Sequence, residues 1–318
     1  MHNLMEESKL TNRRDFTKKI IFAGLSIPLL NSFSFVKNGN KKLTILHTND
    51  IHSHIDSFTS NHTRYSGLGG LRRIASMVKK IKSSQKNVIL LDAGDIFQGT
   101  PYFNKYKGSL EFKIMSEMGY AASTMGNHDF DNGIDGFKNV IHHANFPFLC
   151  SNYDFSETVL NGKTQKFLIK EINNIKIGIF GIGIKLDGLV SISSFKKTKY
   201  LDPLKTANYW AQELKSKHQC NLVICLSHLG YNYESDQISD LKLAKASKNI
   251  DVIIGGHTHT FLDKAQNINN SENKNVIVNQ AGWGALALGR IDIEFSKKNK
   301  IVNELSMNKN FKKNYAKI

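Results

Sequence analysis

The sequence predicts an α/β fold. Short apolar runs of strand length alternate with longer stretches of helical periodicity through most of the chain. Five of the apolar runs, at residues 43–46, 88–91, 121–125, 222–226 and 252–254, give way to polar clusters rich in Asp, Asn and His. In α/β sheets, the edge where buried strands pass into loops is where ligands bind. With 318 residues and 40% hydrophobic content, the chain can bury a large core, enough for one large domain or at most two.

The N-terminal residues are a different kind of object. Asn12-Arg13-Arg14-Asp15-Phe16-Thr17-Lys18-Lys19 precedes an apolar stretch over residues 20–30 and resembles a twin-arginine export signal. Gly24, Ser26 and Pro28 interrupt the stretch, and it stops at Asn31, short of the roughly 20 apolar residues that a membrane span needs. Residues 1–37 are therefore set apart from the fold, leaving 38–295 as the folded domain and 296–318 as a C-terminal tail. The expected location is periplasmic or otherwise exported, and membrane contact would come only through an uncleaved signal.

The elements follow in order. The strand at 43–46 leads to a helix over 70–83, the strand at 88–91 to a helix over 110–118, and the run at 121–125 to a helix over 134–144. Residues 152–166 are the most polar interior segment. The runs 167–172 and 175–182 that follow, joined at Asn173-Asn174, read as a hairpin and not as a domain boundary. Asp202-Pro203 supplies an N-cap followed by proline at the first helical position, for a helix over 203–217. The strand at 222–226, a helix over 237–246 and the strand at 252–254 continue the alternation. After Asn275 the pattern is strands alone, at 276–279, 286–295 and 300–305. Gly178, Gly181 and Gly183 imitate a dinucleotide fingerprint, but one beginning at Gly181 would need a small residue where Leu186 stands. A tight strand bend explains these glycines better.

Charge and cysteine content narrow the partners. The formal net charge is +16, and +13 remains once the leader, with six basic and three acidic residues, is removed. A basic surface draws anionic, phosphorylated small molecules. No recognition-helix pattern or stripe of aromatic and basic residues accompanies the charge, so nucleic acid is not expected as a partner. Residues 296–318 carry seven Lys against Glu304 alone and read as a basic, solvated end. Cys150, Cys220 and Cys225 are too few for a disulfide framework, and Cys220 and Cys225 bracket one extended run that holds them too far apart to bridge. They read as buried thiols.

The polar clusters are Asp50-Ile51-His52, Gly94-Asp95, Gly126-Asn127-His128-Asp129, Ser227-His228 and Gly255-Gly256-His257-Thr258-His259. Carboxylate, amide and imidazole donors suit hard or borderline divalent cations, and the absence of cysteine from every cluster argues against a closed structural zinc site. Asp50 and His52, two apart at a strand end, are expected to point the same way and grip one ion together; His257 and His259 repeat that spacing. The donor set reads as that of a two-metal hydrolase.

The stretches Leu46-His47-Thr48-Asn49-Asp50-Ile51-His52-Ser53-His54, Gly94-Asp95-Ile96-Phe97-Gln98-Gly99-Thr100, Met125-Gly126-Asn127-His128-Asp129-Phe130-Asp131 and Gly255-Gly256-His257-Thr258-His259-Thr260 resemble the calcineurin-like metallophosphoesterases, specifically the catalytic domain of bacterial 5′-nucleotidases. The resemblance runs over about residues 43–295. It implies a four-layer sandwich of two mixed β-sheets flanked by helices. It also implies that Asp50, His52, Asp95 and His259 hold one divalent ion and that Asp95, Asn127, His228 and His257 hold a second, with Asp95 bridging and zinc or manganese as the metal. Such a pair makes hydroxide available for attack on a phosphate monoester without a Ser or Cys nucleophile. His128 would face the phosphate, stabilising its charge or protonating the leaving oxygen, with Asp131 orienting the imidazole. His54 lies next to the metal motif with no role assigned by the resemblance, and it reads equally as a support behind the donors or as a solvent-facing residue. His2, His62, His142, His143 and His218 read as surface histidines, and the pairs Gly69-Gly70 and Gly255-Gly256 as sites of close backbone packing.

Bacterial 5′-nucleotidases of this type usually carry a C-terminal domain that stacks the base between aromatic rings, whereas this sequence ends at Ile318. The expectation is a phosphorylated small-molecule substrate, a nucleotide first, with the site completed by a separately encoded nucleotide-binding domain. Discrimination by the chain alone is expected to be poor unless loops such as 96–104 or 186–199 form a base pocket. Cyclic-nucleotide phosphodiesterase and general phosphomonoesterase are the alternatives in the same class, and a non-catalytic exported metal or phosphate binder is the alternative from another. Replacing Arg13 and Arg14 with Lys should leave the precursor in the cytoplasm, and unchanged export in cell fractionation would exclude the twin-arginine route.

Overall fold

Hydrogen-bonded strand pairing builds two large sheets and one small two-stranded sheet. The computed structural model describes residues 40–310, and the export signal read at 1–37 lies outside the described residues. In chain order the elements are β1 (Lys41–Thr48), α1 (Leu71–Ser84), β2 (Val88–Asp92), α2 (Pro101–Tyr106), α3 (Ser109–Met118), α4 (Gly133–Val140), β3 (Tyr153–Asp154), β4 (Phe167–Ile172), β5 (Ile175–Ile182), α5 (Ile192–Phe195), β6 (Lys199–Tyr200), α6 (Pro203–Gln212), β7 (Leu222–Ser227), α7 (Asp240–Ala246), β8 (Val252–Ile254), β9 (Gln266–Asn269), β10 (Asn275–Asn279), β11 (Ala287–Phe295), β12 (Ile301–Ser306) and β13 (Lys309–Asn310).

One large sheet runs β12-β11-β1-β2, with β13 also pairing with β11; the other runs β4-β5-β7-β8-β10-β9. Both sheets are mixed. β1 is parallel to β2 and antiparallel to β11, while β5, β7, β8 and β10 are mutually parallel between antiparallel edges β4 and β9. The alternation of side chains along each strand then sorts residues into layers. On β7, Leu222, Ile224 and Leu226 join Leu43 and Ile45 of β1 and Ile291 and Ile293 of β11 in one buried layer between the sheets. Val223 and Cys225 face the other way, against Ala207 and Ala211 of α6 and Leu243 of α7. Behind the first sheet, Leu46 and Leu90 pack with Leu71 and Ile74 of α1, Phe112 of α3 and Phe137 of α4. The result is four layers, helix, sheet, sheet, helix. Full burial of each such large apolar side chain favours the fold by about 1.5–3 kcal/mol, so the three layers of contact are its main stabilisation.

Local chemistry matches the sequence at several points. Asn173 and Asn174 adopt φ of 54° and 57° between β4 and β5, the left-handed pair of a two-residue hairpin turn. The Asp202 side chain accepts from the Lys205 N–H at 2.8 Å and caps α6 behind Pro203. Cys150, Cys220 and Cys225 are buried and free, and burial pushes the Cys150 thiol up to about 12. Gly181, read from the sequence as part of a tight strand bend, lies instead within β5, where a Cβ would come 1.8 Å from the Leu149 carbonyl oxygen, so close packing accounts for it.

Elsewhere the structure differs from the sequence reading. Residues 121–125 are extended but form no strand. Only isolated bridges, Leu91 to Ala122 and Ser123 to Phe148, link them to their neighbours, and the Ser123 and Thr124 hydroxyls bond to Asp92 and to the Leu149 carbonyl. Helix α7 starts at Asp240, not at Gln237, because the Ser239 hydroxyl caps it. Helix α2 has no counterpart in the sequence reading. Beyond Phe295, β12 lies where a strand was read at 300–305, and its pairing with β11 places part of segment 296–318 in the sheet. Among the described residues no helix is long and apolar enough to cross a membrane.

Candidate metal centre

The loops that follow β1, β2, β7 and β8 and the 126–129 segment converge on one point. Asp50, His52 and His259 present ligand atoms within 4.8 Å of one another, and so do Asp95, His228 and His257. Between the groups stands Asp95, whose Oδ2 is 3.1 Å from His228 Nε2 and 3.9 Å from His52 Nε2. Asp50 Oδ1 is 3.5 Å from His259 Nε2, and the Nε2 atoms of His52 and His259 are 2.9 Å apart. The Asn127 Oδ1 atom lies 2.7 Å from His257 Nδ1. The seven donors singled out in the sequence, Asp50, His52, Asp95, Asn127, His228, His257 and His259, are therefore brought together.

Strand alternation is not what aims them. β1 ends at Thr48, and Asp50 and His52 sit beyond it with φ of 50° each. Asp95, His257 and His259 share this left-handed backbone at 56°, 75° and 53°. Such conformations cost about 1–3 kcal/mol each for residues other than glycine and cluster at functional sites. Here the side chains converge because each loop coils tightly.

Hydrogen bonds then orient the donors. His52 Nδ1 lies 3.2 Å from the carbonyl oxygens of Phe97 and Gln98, and His228 Nδ1 lies 2.7 Å from that of Ala93. A carbonyl can only accept, so both Nδ1 atoms carry a proton and both Nε2 atoms are turned to the centre. The His257 N–H donates to both Asp50 oxygens at 3.0 Å, and Asn49 donates to Asp50 Oδ2 at 2.7 Å.

These residues fit divalent cations. His228 Nε2 is buried, and the group it faces is the Asp95 carboxylate, whose Oδ2 lies 3.1 Å away. Burial disfavours its charge, yet the Asp95 and Asp50 carboxylates raise His228 to about 10, which shows how strongly this pocket calls for positive charge. The space is reserved as well. A Cβ on Gly126 would lie 2.2 Å from Asp95 Oδ1 and 2.6 Å from His228 Nε2. At Gly255 it would lie 1.9 Å from Asp240 Oδ2, whose carboxylate accepts from Ser227 and Gln280 behind the His228 loop.

Two residues stand apart from the donors. His128 is half exposed, and its Nδ1 lies 2.7 Å from Asp131 Oδ2. That hydrogen bond raises its pKa, against burial. Its own N–H donates to Asp95 Oδ1 at 2.8 Å, which places the ring beside the donor cluster, 5.2 Å from the His52 ring. His54 is buried against Phe58 and Trp283, and His62, read from the sequence as a surface residue, is half-buried between Phe58 and Tyr65.

Asp129 carries a role that the sequence reading did not assign. Its Oδ2 accepts from the N–H groups of Asp95 and Gly126 at 3.0 and 2.9 Å, and its Oδ1 from those of Ile96 and Phe97 at 3.0 and 3.3 Å. Burial and then the Asp95 charge raise its carboxyl to about 7, with the Gly126 N–H acting the other way. Its place in the 126–129 cluster was the available signal. Trp283, stacked on His259, and Asn49 left no such signal, because neither residue type is a metal donor of choice.

Fold and site together define a class: the chain belongs to the calcineurin-like phosphoesterase family, whose profile matches residues 43–261. Among its relatives, the trifunctional nucleotide phosphoesterase protein YfkN of Bacillus subtilis is 32% identical over 302 residues, 85% of this chain and 19% of that protein. Snake venom 5′-nucleotidase of Gloydius brevicauda is 33% identical over 234 residues, 71% of this chain and 38% of the venom protein. The crystal structure of a 5′-nucleotidase precursor from Thermus thermophilus superposes with a TM-score of 0.76 at 29% identity, covering 85% of this chain and 54% of that one. The chain thus spans about half or less of the length of these relatives.

Asp129→Asn tests the coupling of the two loops. Whichever way the new amide turns, its NH2 faces one pair of backbone N–H groups, so two buried donors lose their acceptor at about 1–3 kcal/mol each. Denaturant unfolding should show a loss of about 2–6 kcal/mol, with weakened metal retention, and an unchanged midpoint would mean that the loops are held by something else.

Proposed function

We propose that this chain hydrolyses phosphate monoesters, 5′-nucleotides foremost, with two divalent cations, zinc or manganese. What supports the reading most is the position of Asp95 between two groups of donors. Asp50, His52 and His259 would hold one cation, and Asn127, His228 and His257 the other, with Asp95 shared. Cations bound there supply electrophilic polarisation of a phosphoryl oxygen and lower the pKa of water, so that a nucleophile is available near neutrality.

The remaining chemistry belongs to the side chains. His128 Nδ1 is engaged by Asp131, which leaves Nε2 as the atom that can hold a proton toward the leaving oxygen. The same hydrogen bond keeps the imidazole protonated to higher pH, as a general acid requires. Asp131 acts through His128 by fixing its tautomer and orientation. The names of the relatives favour nucleotide substrates. Export by the twin-arginine route belongs to the same proposal, on the strength of Arg13-Arg14 and the apolar run behind it.

Phosphate release from AMP and p-nitrophenyl phosphate tests the reading: it should require added zinc or manganese and stop on chelation, whereas metal binding without turnover would favour a non-catalytic binder. Asp95→Asn should lower activity and metal stoichiometry more than His259→Ala does, because a weakened bridge disturbs both ions and a lost terminal ligand mainly one. Two tightly held metals with near-normal turnover in Asp95→Asn would remove the bridging assignment. His128→Ala should keep its metal content while turnover falls by about 10²–10⁴ fold. A parallel loss of metal would make His128 a ligand instead.

A further inference from the structure

A wall of aromatic rings runs from the metal donors into a separate pocket. Trp283 lies parallel to the His259 imidazole, with centroids 5.3 Å and planes 8° apart, and meets the His54 ring edge-on at 5.4 Å. His54 stacks in turn on Phe58 at 4.4 Å. His54 and Phe58 both line a cavity of about 520 Å³ to which the 100–106 segment contributes Tyr102 and Tyr106.

This cavity is joined to the metal centre through the backbone. The Thr100 hydroxyl donates to the Ser53 carbonyl at 2.7 Å, and Gly99 packs so closely that a Cβ there would lie 2.7 Å from the His52 carbonyl oxygen. One turn, His52-Ser53-His54, thus presents a metal donor at one end and a pocket wall at the other. The opposite segment is held too: the Tyr102 hydroxyl donates to Asp56, which also pairs with Arg72. The Tyr102 and Tyr106 rings lie nearly parallel, 18° apart at 6.4 Å, and Tyr106 is 38% exposed. Among the polar groups, His62 Nδ1 accepts from the Tyr65 N–H at 3.0 Å, so Nε2 carries the proton as a donor. The Lys105 ammonium lies 5.3 Å from the Tyr106 ring centre.

We propose that this cavity is the subsite for the planar ring carried by the leaving group, the base of a nucleoside or the ring of an aryl alcohol, of the ester whose phosphate is held at the metal centre. The inference rests on the proposed phosphoesterase reading for the phosphate and adds recognition of the other half of the substrate. Its volume is in the range of small-molecule sites, and the rings of His54, Phe58, His62, Tyr102 and Tyr106 among its polar lining residues offer faces on which a flat π-system can stack. Stacking accepts every base because every base has a π-face, so the subsite favours ringed esters over alkyl esters without choosing sharply among bases.

The test uses the full metal-loaded chain and the variants Tyr106→Ala and His62→Ala. The ratio of kcat/KM for AMP to that for glycerol phosphate, an ester without a ring, should fall about 5- to 100-fold in Tyr106→Ala, through KM, and less in His62→Ala. Adenosine, which has no phosphate, should bind the wild-type chain in calorimetry and bind Tyr106→Ala more weakly by a similar factor. A ratio unchanged in both variants, or adenosine binding that is absent or indifferent to both substitutions, overturns the subsite. A wild-type chain that hydrolyses no ester rejects the phosphoesterase reading instead, and the adenosine titration then decides the pocket by itself.

Discussion

The Asp129 carboxylate holds the loop after β2 to the 126–129 segment, and the rest of the centre depends on that link. Its two oxygens take the N–H groups of Asp95, Ile96, Phe97 and Gly126. A return bond from the His128 N–H to Asp95 Oδ1 closes the circuit. Moving either loop alone would leave buried N–H groups without an acceptor, and that penalty keeps Asp95, Asn127 and His128 in fixed relation. The candidate donors are thereby held in place by the protein's own hydrogen bonds, as a preorganised site requires.

A second link joins the two sheets. Asp50 follows β1 of one sheet and His257 follows β8 of the other, and the His257 N–H meets both Asp50 oxygens. Asn49 adds bonds to Ala281 and Gly282, while the Gly284 N–H donates to the Asp50 carbonyl. The left-handed backbone at Asp50, His52, Asp95, His257 and His259 is intrinsically unfavourable. It persists because these bonds over-determine the loops and because the apolar layer between the sheets gives them a rigid base. The aromatic wall of Trp283, His54 and Phe58 extends that order outward from the donors, so the neighbouring cavity inherits a fixed shape from the same turn that positions His52.

What the sequence by itself determined was local: the buried runs that became β1, β2, β7 and β8, the Asn173-Asn174 turn, the Asp202-Pro203 helix start, and the seven candidate donors that the fold brings together. Each follows from side-chain period, turn conformation or ligand chemistry within a few residues. Tertiary structure decided the remainder. Residues 121–125 had the composition of a strand, but their hydroxyls and neighbours left them only isolated bridges. Segment 296–318 had the charge of a solvated tail, yet β11 offered an edge on which β12 could pair. His62 looked like a surface residue until Phe58 and Tyr65 enclosed it. Donor type is a property of the residue, whereas the bond from His257 to Asp50 spans 207 positions and the stack of Trp283 on His259 needs two loops in register. Contacts of that range leave no periodic trace in the chain, because only the packing of both sheets brings their ends together.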